Sequence, residues 1–208
     1  MKAAHCNKIF SQCIEDYHKF DRVDQPIDNP FQKDSFDHLV YLKNWIDTVQ
    51  WHYEDLIRDP DLDPLEGMQL KRRIDASNQR RTDVVEQIDD WFLGLFKKVT
   101  AKQGAKINTE SPAWVIDRLS ILALKIYHMR EQVQRQDVDD QHKLVHQEKL
   151  NVLLEQQKDL SESFDHLIDE LQHGDKVMKV YRQMKLYNDP ETNPVLYNKD
   201  KSGQDQDH

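Results

Sequence analysis

"AWVIDRLSILALKIYHM", residues 113–129, is the most apolar segment of the chain, and the fold turns on it. Val115, Ile116, Leu119, Leu122, Ala123, Ile126 and Met129 recur at the spacing of one helical face. Ser111 and Pro112 stand just before it in cap and first-turn positions. So apolar a helix belongs at the centre of a bundle, and the rest of the chain supplies helices to surround it.

On its N-terminal side, Ile9, Phe10, Cys13, Ile14, Tyr17 and Phe20 mark a short amphipathic helix over about residues 5 to 20. The loop "DRVDQPIDNPFQKD" follows, with Asp34 placed to cap a second helix that runs to about Arg58. Asp63 and Pro64 open a long third helix through Ile74, Val85, Ile88, Phe92 and Phe96. On its C-terminal side a fifth helix, roughly Val138 to His173, stops at Gly174. A last helix is expected from Asp175, presenting Val177, Val180, Tyr181 and Met184 and ending at "YNDP". The expectation is an all-α bundle of about six helices forming one domain over residues 1–197, with a polar, disordered tail over 198–208.

Composition supports that class. The 208 residues are 32% charged and 38% hydrophobic, with only five glycines and seven prolines, a helix-rich globular profile. The net charge of -9 argues against a nucleic-acid partner, because phosphate-backbone affinity comes from clustered lysines and arginines. Cys6 and Cys13 fall seven apart on one helix, about 10 Å along its axis, and are expected as free thiols. "MKAAHCNKIFSQCIEDYHKF" has no uninterrupted apolar run, and no segment is long enough to span a bilayer, so a cytoplasmic location without membrane insertion is expected.

Function is argued from polar residues at core positions. On the third helix, Asn78 and Arg81 fall on the stripe that joins Ile74 to Val85. Asp117, Arg118, Lys125 and His128 share an arc of the central helix with Trp114 and Ile121. Lys43, Asp47, Gln50, Glu54 and Arg58 gather beside the apolar face of the second. Buried polar groups without partners each cost about 1–3 kcal/mol, and charges cost more. These three sets therefore either pair with one another as ordinary interhelical ion pairs or line a polar cavity between the second, third and fourth helices.

"KNWIDTVQWHYEDLIRD", "KRRIDASNQRRTDVVEQID", "NTESPAWVIDRLSILALKIYHMREQ" and "VYRQMKLYNDPETNPVLY" closely resemble the bacterial domain-of-unknown-function family 4254, over about residues 34 to 197. Its Trp-x-x-Glu-Asp-x-x-Arg pattern corresponds to Trp51, Glu54, Asp55 and Arg58. Its Asp-x-x-Asn-x-x-Arg-x-Asp pattern corresponds to Asp75, Asn78, Arg81 and Asp83. Before the central helix this chain departs mildly, with Ser111 and Ala113 where many relatives carry threonine and glycine. The resemblance implies no reaction. It does imply an association with genes of cell-envelope polysaccharide synthesis, which turns the expected ligand towards a sugar phosphate or a nucleotide sugar.

Two functional readings follow. In the first, Arg58, Asn78, Arg81, Arg118 and Lys125 bind an anionic, phosphate-bearing small molecule, with Glu54, Asp55, Asp117 and His128 as candidate acid, base or ligand groups. A narrower form compares the chain with all-α nucleotide pyrophosphatases. Glu86 and Asp89 match one of their magnesium-holding pairs, but no Glu-x-x-Glu stands on the second helix. In the second reading the protein is a non-catalytic adaptor or subunit, with Trp45, Trp91 and Tyr127 exposing a face to a protein partner. No cofactor is legible and no metal-ligand set is assigned; His142 and His146, at i and i+4 without a third ligand, read as surface residues.

Overall fold

The computed structural model describes residues 2–184 and 190–198. It is an all-α bundle: α1 (Ala3–Tyr17), α2 (Phe36–Leu56), α3 (Pro64–Phe96), α4 (Pro112–Gln134), α5 (Asp140–Gln172) and the single turn α6 (Pro194–Tyr197). The central position expected for the 113–129 segment holds, since α4 packs against α1, α2, α3 and α5. Its apolar side meets Phe10 and Ile14 of α1, Val40 and Ile46 of α2, Ile88 and Phe92 of α3, and Phe164 and Ile168 of α5 in one core cluster. A smaller cluster of Leu122, Ile126 and Leu150 extends the α4–α5 seam. No helix among the described residues is long and apolar enough to cross a membrane. Both cysteines are free and buried, and burial pushes the Cys6 thiol up to about 12.

The helix starts show which cap signals carried. The Asp63 carboxylate accepts from the Leu65 and Glu66 amides at 2.9 and 3.2 Å ahead of Pro64, as expected. At α2 the cap is Ser35, whose hydroxyl accepts from the His38 amide at 3.1 Å, and not Asp34. Asp34 has a φ of 62°, and an N-cap needs the extended backbone that Ser35 adopts. Ser111 occupies the N-cap position of α4, but its hydroxyl makes no cap bond. Phe20 lies beyond the end of α1 and is exposed.

The largest departure is the last helix. Gly174 ends α5 in the left-handed region, φ 74°, where an added Cβ would stand 2.5 Å from the Thr100 carbonyl oxygen. The chain then turns back as β2 (Lys176–Val177), paired in parallel with β1 (Lys106–Ile107). Beyond Val177 the chain runs without regular structure to Met184, held to α3 by Arg182, which donates to the Glu86 carbonyl at 3.0 Å and pairs with Asp90. Tyr181 and Met184 are exposed. The helical spacing of Val177, Val180, Tyr181 and Met184 had no core to face, so strand pairing and side-chain ties to α3 prevail. The expected stop at "YNDP" falls largely on 185–189, and the expected tail largely on 199–208, both outside the described residues.

Candidate functional site

Three polar regions lie along α2 and its neighbours, and the first is the interior where a cavity was expected. Lys43 and Asp47, one turn apart on α2, are both buried, and Lys43 Nζ donates to Asp47 Oδ2. The same ammonium lies 2.9 Å from Asp117 Oδ1 on α4. Arg81 reaches in from α3 and forks onto Asp117, with Nε to Oδ1 at 3.0 Å and Nη2 to Oδ2 at 2.9 Å. Its Nε is also 3.4 Å from Asp47 Oδ1. Two cations and two anions thus close on one another with no net charge. Ser120 Oγ donates to Asp47 and accepts from Asn44 Nδ2 at 2.9 Å, while Thr48 Oγ1 donates to the Asn44 carbonyl at 2.8 Å.

The two carboxyls differ. Burial raises that of Asp47, and the neighbouring Asp117 adds to the rise against the pull of Lys43. Burial also works on Asp117, but Lys43 and the Arg81 fork outweigh it and hold its carboxyl below the ordinary aspartate value. Asp117 receives both cations in good geometry. An incoming phosphate would have to displace Asp117 from Arg81, so this cluster fills the space itself and offers no open receptor.

The other expected site residues are dispersed. Arg118 is exposed and pairs with Glu110, and with Lys125 it lines an open α4–α5 groove of about 800 Å³ that also carries Glu155 and Asp159. Arg58 pairs with Glu54 at the exposed end of α2, next to an exposed Asp55. Asn78 is half-buried one turn before Arg81. Glu86 is engaged by Arg182 and Gln183, whereas Asp89 is buried and raised by that burial, so the two do not present a shared pair. Trp45 is buried, and the half-buried Trp91 and Tyr127 pack one side against the core.

The second region is a cleft of about 330 Å³ between α2, α3 and the loop that precedes α2. Arg73 and Arg80, two turns apart on α3, stand on its wall beside the small Ala76 and Ser77, opposite Trp45 and Tyr53 of α2. Its lining contains no carboxylate, and among the described residues neither arginine makes an ion pair. Asp24, on the loop, pairs with Arg22, and its carboxyl is lowered by Arg22 first and to a lesser degree by Arg73.

The third region is a cluster of histidines that sequence spacing did not join. His18 stands just beyond α1, His52 near the end of α2 and His128 on α4. Their ring centroids form a near-equilateral triangle of 5.3, 5.5 and 5.6 Å. His18 Nδ1 lies 2.7 Å from the Ile14 carbonyl and His128 Nδ1 2.7 Å from Glu131 Oε2. Both acceptors lack a proton to give, so both Nδ1 atoms are the protonated ones and both Nε2 atoms carry a lone pair. His18 Nε2 is 3.3 Å from His52 Nε2, and His128 Nε2 is buried without a partner. Tyr17 stacks on His52 and Trp51 on His128, with centroids 5.1 and 4.8 Å apart, which fixes the rings in place. Burial lowers the pKa of His52, and the neighbouring His18 and His128 lower it further.

Only His128 of these three was a candidate from the sequence, and it belongs here rather than with Arg81 and Arg118. His18 and His52 were missed because nothing along the chain links positions 18, 52 and 128; only the crossing of α1, α2 and α4 does. Among known proteins, the sequence profile described as "Protein of unknown function (DUF4254)" matches residues 37–180. No curated protein and no solved structure matches the chain.

Proposed function

The chain belongs to the DUF4254 family, whose description assigns no reaction, and from its geometry we propose that it binds a phosphate-bearing small molecule in the cleft between α2 and α3. The observation that carries this reading is the pair Arg73 and Arg80: two guanidinium groups without an ion pair among the described residues, on one wall of a cleft with no carboxylate in its lining, in a chain of net charge -9. Guanidinium forks match phosphate oxygens in pairs. The opposite wall of Trp45, Val49 and Tyr53 offers apolar and aromatic surface to the rest of the ligand.

The phosphate binders are therefore Arg73 and Arg80 in place of Arg81, which Asp117 occupies, and Arg118, which Glu110 occupies. The gene association that the family resemblance implies supports a sugar phosphate or a nucleotide sugar as the ligand, and our reading sets the work in the bacterial cytoplasm. Isothermal titration with glucose 1-phosphate, UDP-glucose and inorganic phosphate tests the reading. Binding of at least one organic phosphate is expected, weakened by about tenfold or more in an Arg73→Gln/Arg80→Gln double variant, the loss of about 1.4 kcal/mol. It should be unchanged in Arg118→Ala. Absence of binding at millimolar ligand, or binding indifferent to the two arginines, would overturn it.

A further inference from the structure

We propose that His18, His52 and His128 form a binding site for a zinc-class divalent metal ion, a site independent of the anion cleft. Three imidazoles, one just beyond α1 and one each on α2 and α4, place ligand nitrogens within 4.8 Å of one another. Zinc binds histidine nitrogen at about 2.0–2.1 Å, so two such ligands at the tetrahedral angle stand about 3.3 Å apart. The His18 and His52 Nε2 atoms are 3.3 Å apart. His128 supplies the third lone pair through an Nε2 that is buried and has no hydrogen-bond partner.

The outer contacts are those a metal site uses. A histidine ligand generally donates its second ring N–H to a carbonyl or carboxylate, which fixes the tautomer and sharpens the metal-facing lone pair. His18 does this through the Ile14 carbonyl and His128 through Glu131, both at 2.7 Å. Packing explains the stacked Tyr17 and Trp51 rings and a hydrogen bond joins the His18 and His52 Nε2 atoms, but neither gives the buried His128 Nε2 a partner. A metal ion would take the His18–His52 hydrogen bond's place and give His128 Nε2 the partner it lacks.

Neutral imidazole selects first-row transition ions over magnesium or calcium, which take oxygen ligands. No fourth histidine, cysteine or carboxylate joins the group among the described residues. Asp21 approaches only His52, at 3.6 Å. Three protein ligands leave a coordination position for water or an exogenous anion, the pattern of reactive rather than purely structural zinc sites.

The test uses the full chain stripped of metal by chelation, titrated calorimetrically with zinc chloride at neutral pH and, in parallel, followed by the visible spectrum on adding cobalt(II). About one zinc per chain and the intense bands of a four-coordinate cobalt site are expected. Glu131→Gln changes an exposed carboxylate and leaves the bundle intact; it should weaken zinc by about 10–100-fold, and His128→Ala by more. His142→Ala controls for the other close histidine pair, stacked at 3.9 Å on α5, and should change nothing. Arg73→Gln/Arg80→Gln should also bind zinc normally, so loss of the anion reading and loss of this one are separable. Zinc affinity unaffected by both Glu131→Gln and His128→Ala, affinity that follows His142, or no binding at all would overturn the site.

Discussion

Two polar clusters lie where α2 meets α4, and they end in opposite states. Around Lys43 and Asp47 every charge has found its counter-charge: Lys43 with two carboxylates, Arg81 forked onto Asp117, and Ser120 and Asn44 closing the margin. Around His18, His52 and His128 the outer nitrogens of two rings are satisfied, the inner nitrogens of His18 and His52 have only each other, and that of His128 has no partner. A group of polar side chains in a core therefore says little about function until its hydrogen bonds are counted. The first cluster, whose charges are all paired although Asn44 Oδ1 at its margin has no partner, reads as architecture, and the histidine cluster as a place kept for a ligand.

Breaking the closed cluster should have the largest effect. Asp117→Asn or Lys43→Met leaves a buried charge uncompensated and should cost about 3–5 kcal/mol by urea unfolding. The pH dependence follows from the lowered carboxyl of Asp117. Its contribution is fully present above the unfolded aspartate value of about 3.9 and is lost as pH falls through the lower folded value. The stability gap between the native protein and Asp117→Asn should therefore narrow below about pH 4. A gap that stays constant there would mean that Asp117 is not held ionised by Lys43 and Arg81.

Next in size is the open cluster. If the three histidines hold zinc, free zinc at about 100 times its Kd should stabilise the protein by about 2.7 kcal/mol. Thermal unfolding should show the gain, excess EDTA should reverse it, and His52→Ala should not show it at all. Equal stabilisation of the His52→Ala variant would erase the contrast between the two clusters. Within the closed cluster, Ser120→Ala removes the hydroxyl between Asp47 and Asn44 and should cost about 1–2 kcal/mol, with no change in zinc affinity.

These two clusters also mark how far the sequence could be read. Helical periodicity located α1 to α5, and Asp63, Pro64 and Gly174 punctuated them where expected, because those signals act within a few residues. The stretch from Val177 to Met184 was misread because its helical spacing was outweighed by pairing with Lys106 and Ile107, some seventy residues earlier. Arg81 and Asp117 were legible as misplaced polarity on apolar stripes, but periodicity gives a direction on a helix and not a partner across it. So Arg118, adjacent in sequence to Asp117, was grouped with a site from which one helical step of about 100° turns it away. His18 and His52 left no trace, since His18 stands at a helix end and His52 carries no motif.

Arg118→Ala should have the smallest effect and the most diagnostic one. In a shared polar cavity with Arg81 and His128, its loss would unbalance buried charge and cost several kcal/mol. In the structure its side chain is 60% exposed and its partner Glu110 lies on the connection into α4. An exposed ion pair of that kind contributes below about 1 kcal/mol, and salt screens it. Urea unfolding of Arg118→Ala at low and high salt should therefore show a loss under about 1 kcal/mol that shrinks as salt rises, with zinc and phosphate binding unchanged. A large, salt-insensitive loss would put Arg118 back in the interior and join the regions that the structure keeps apart.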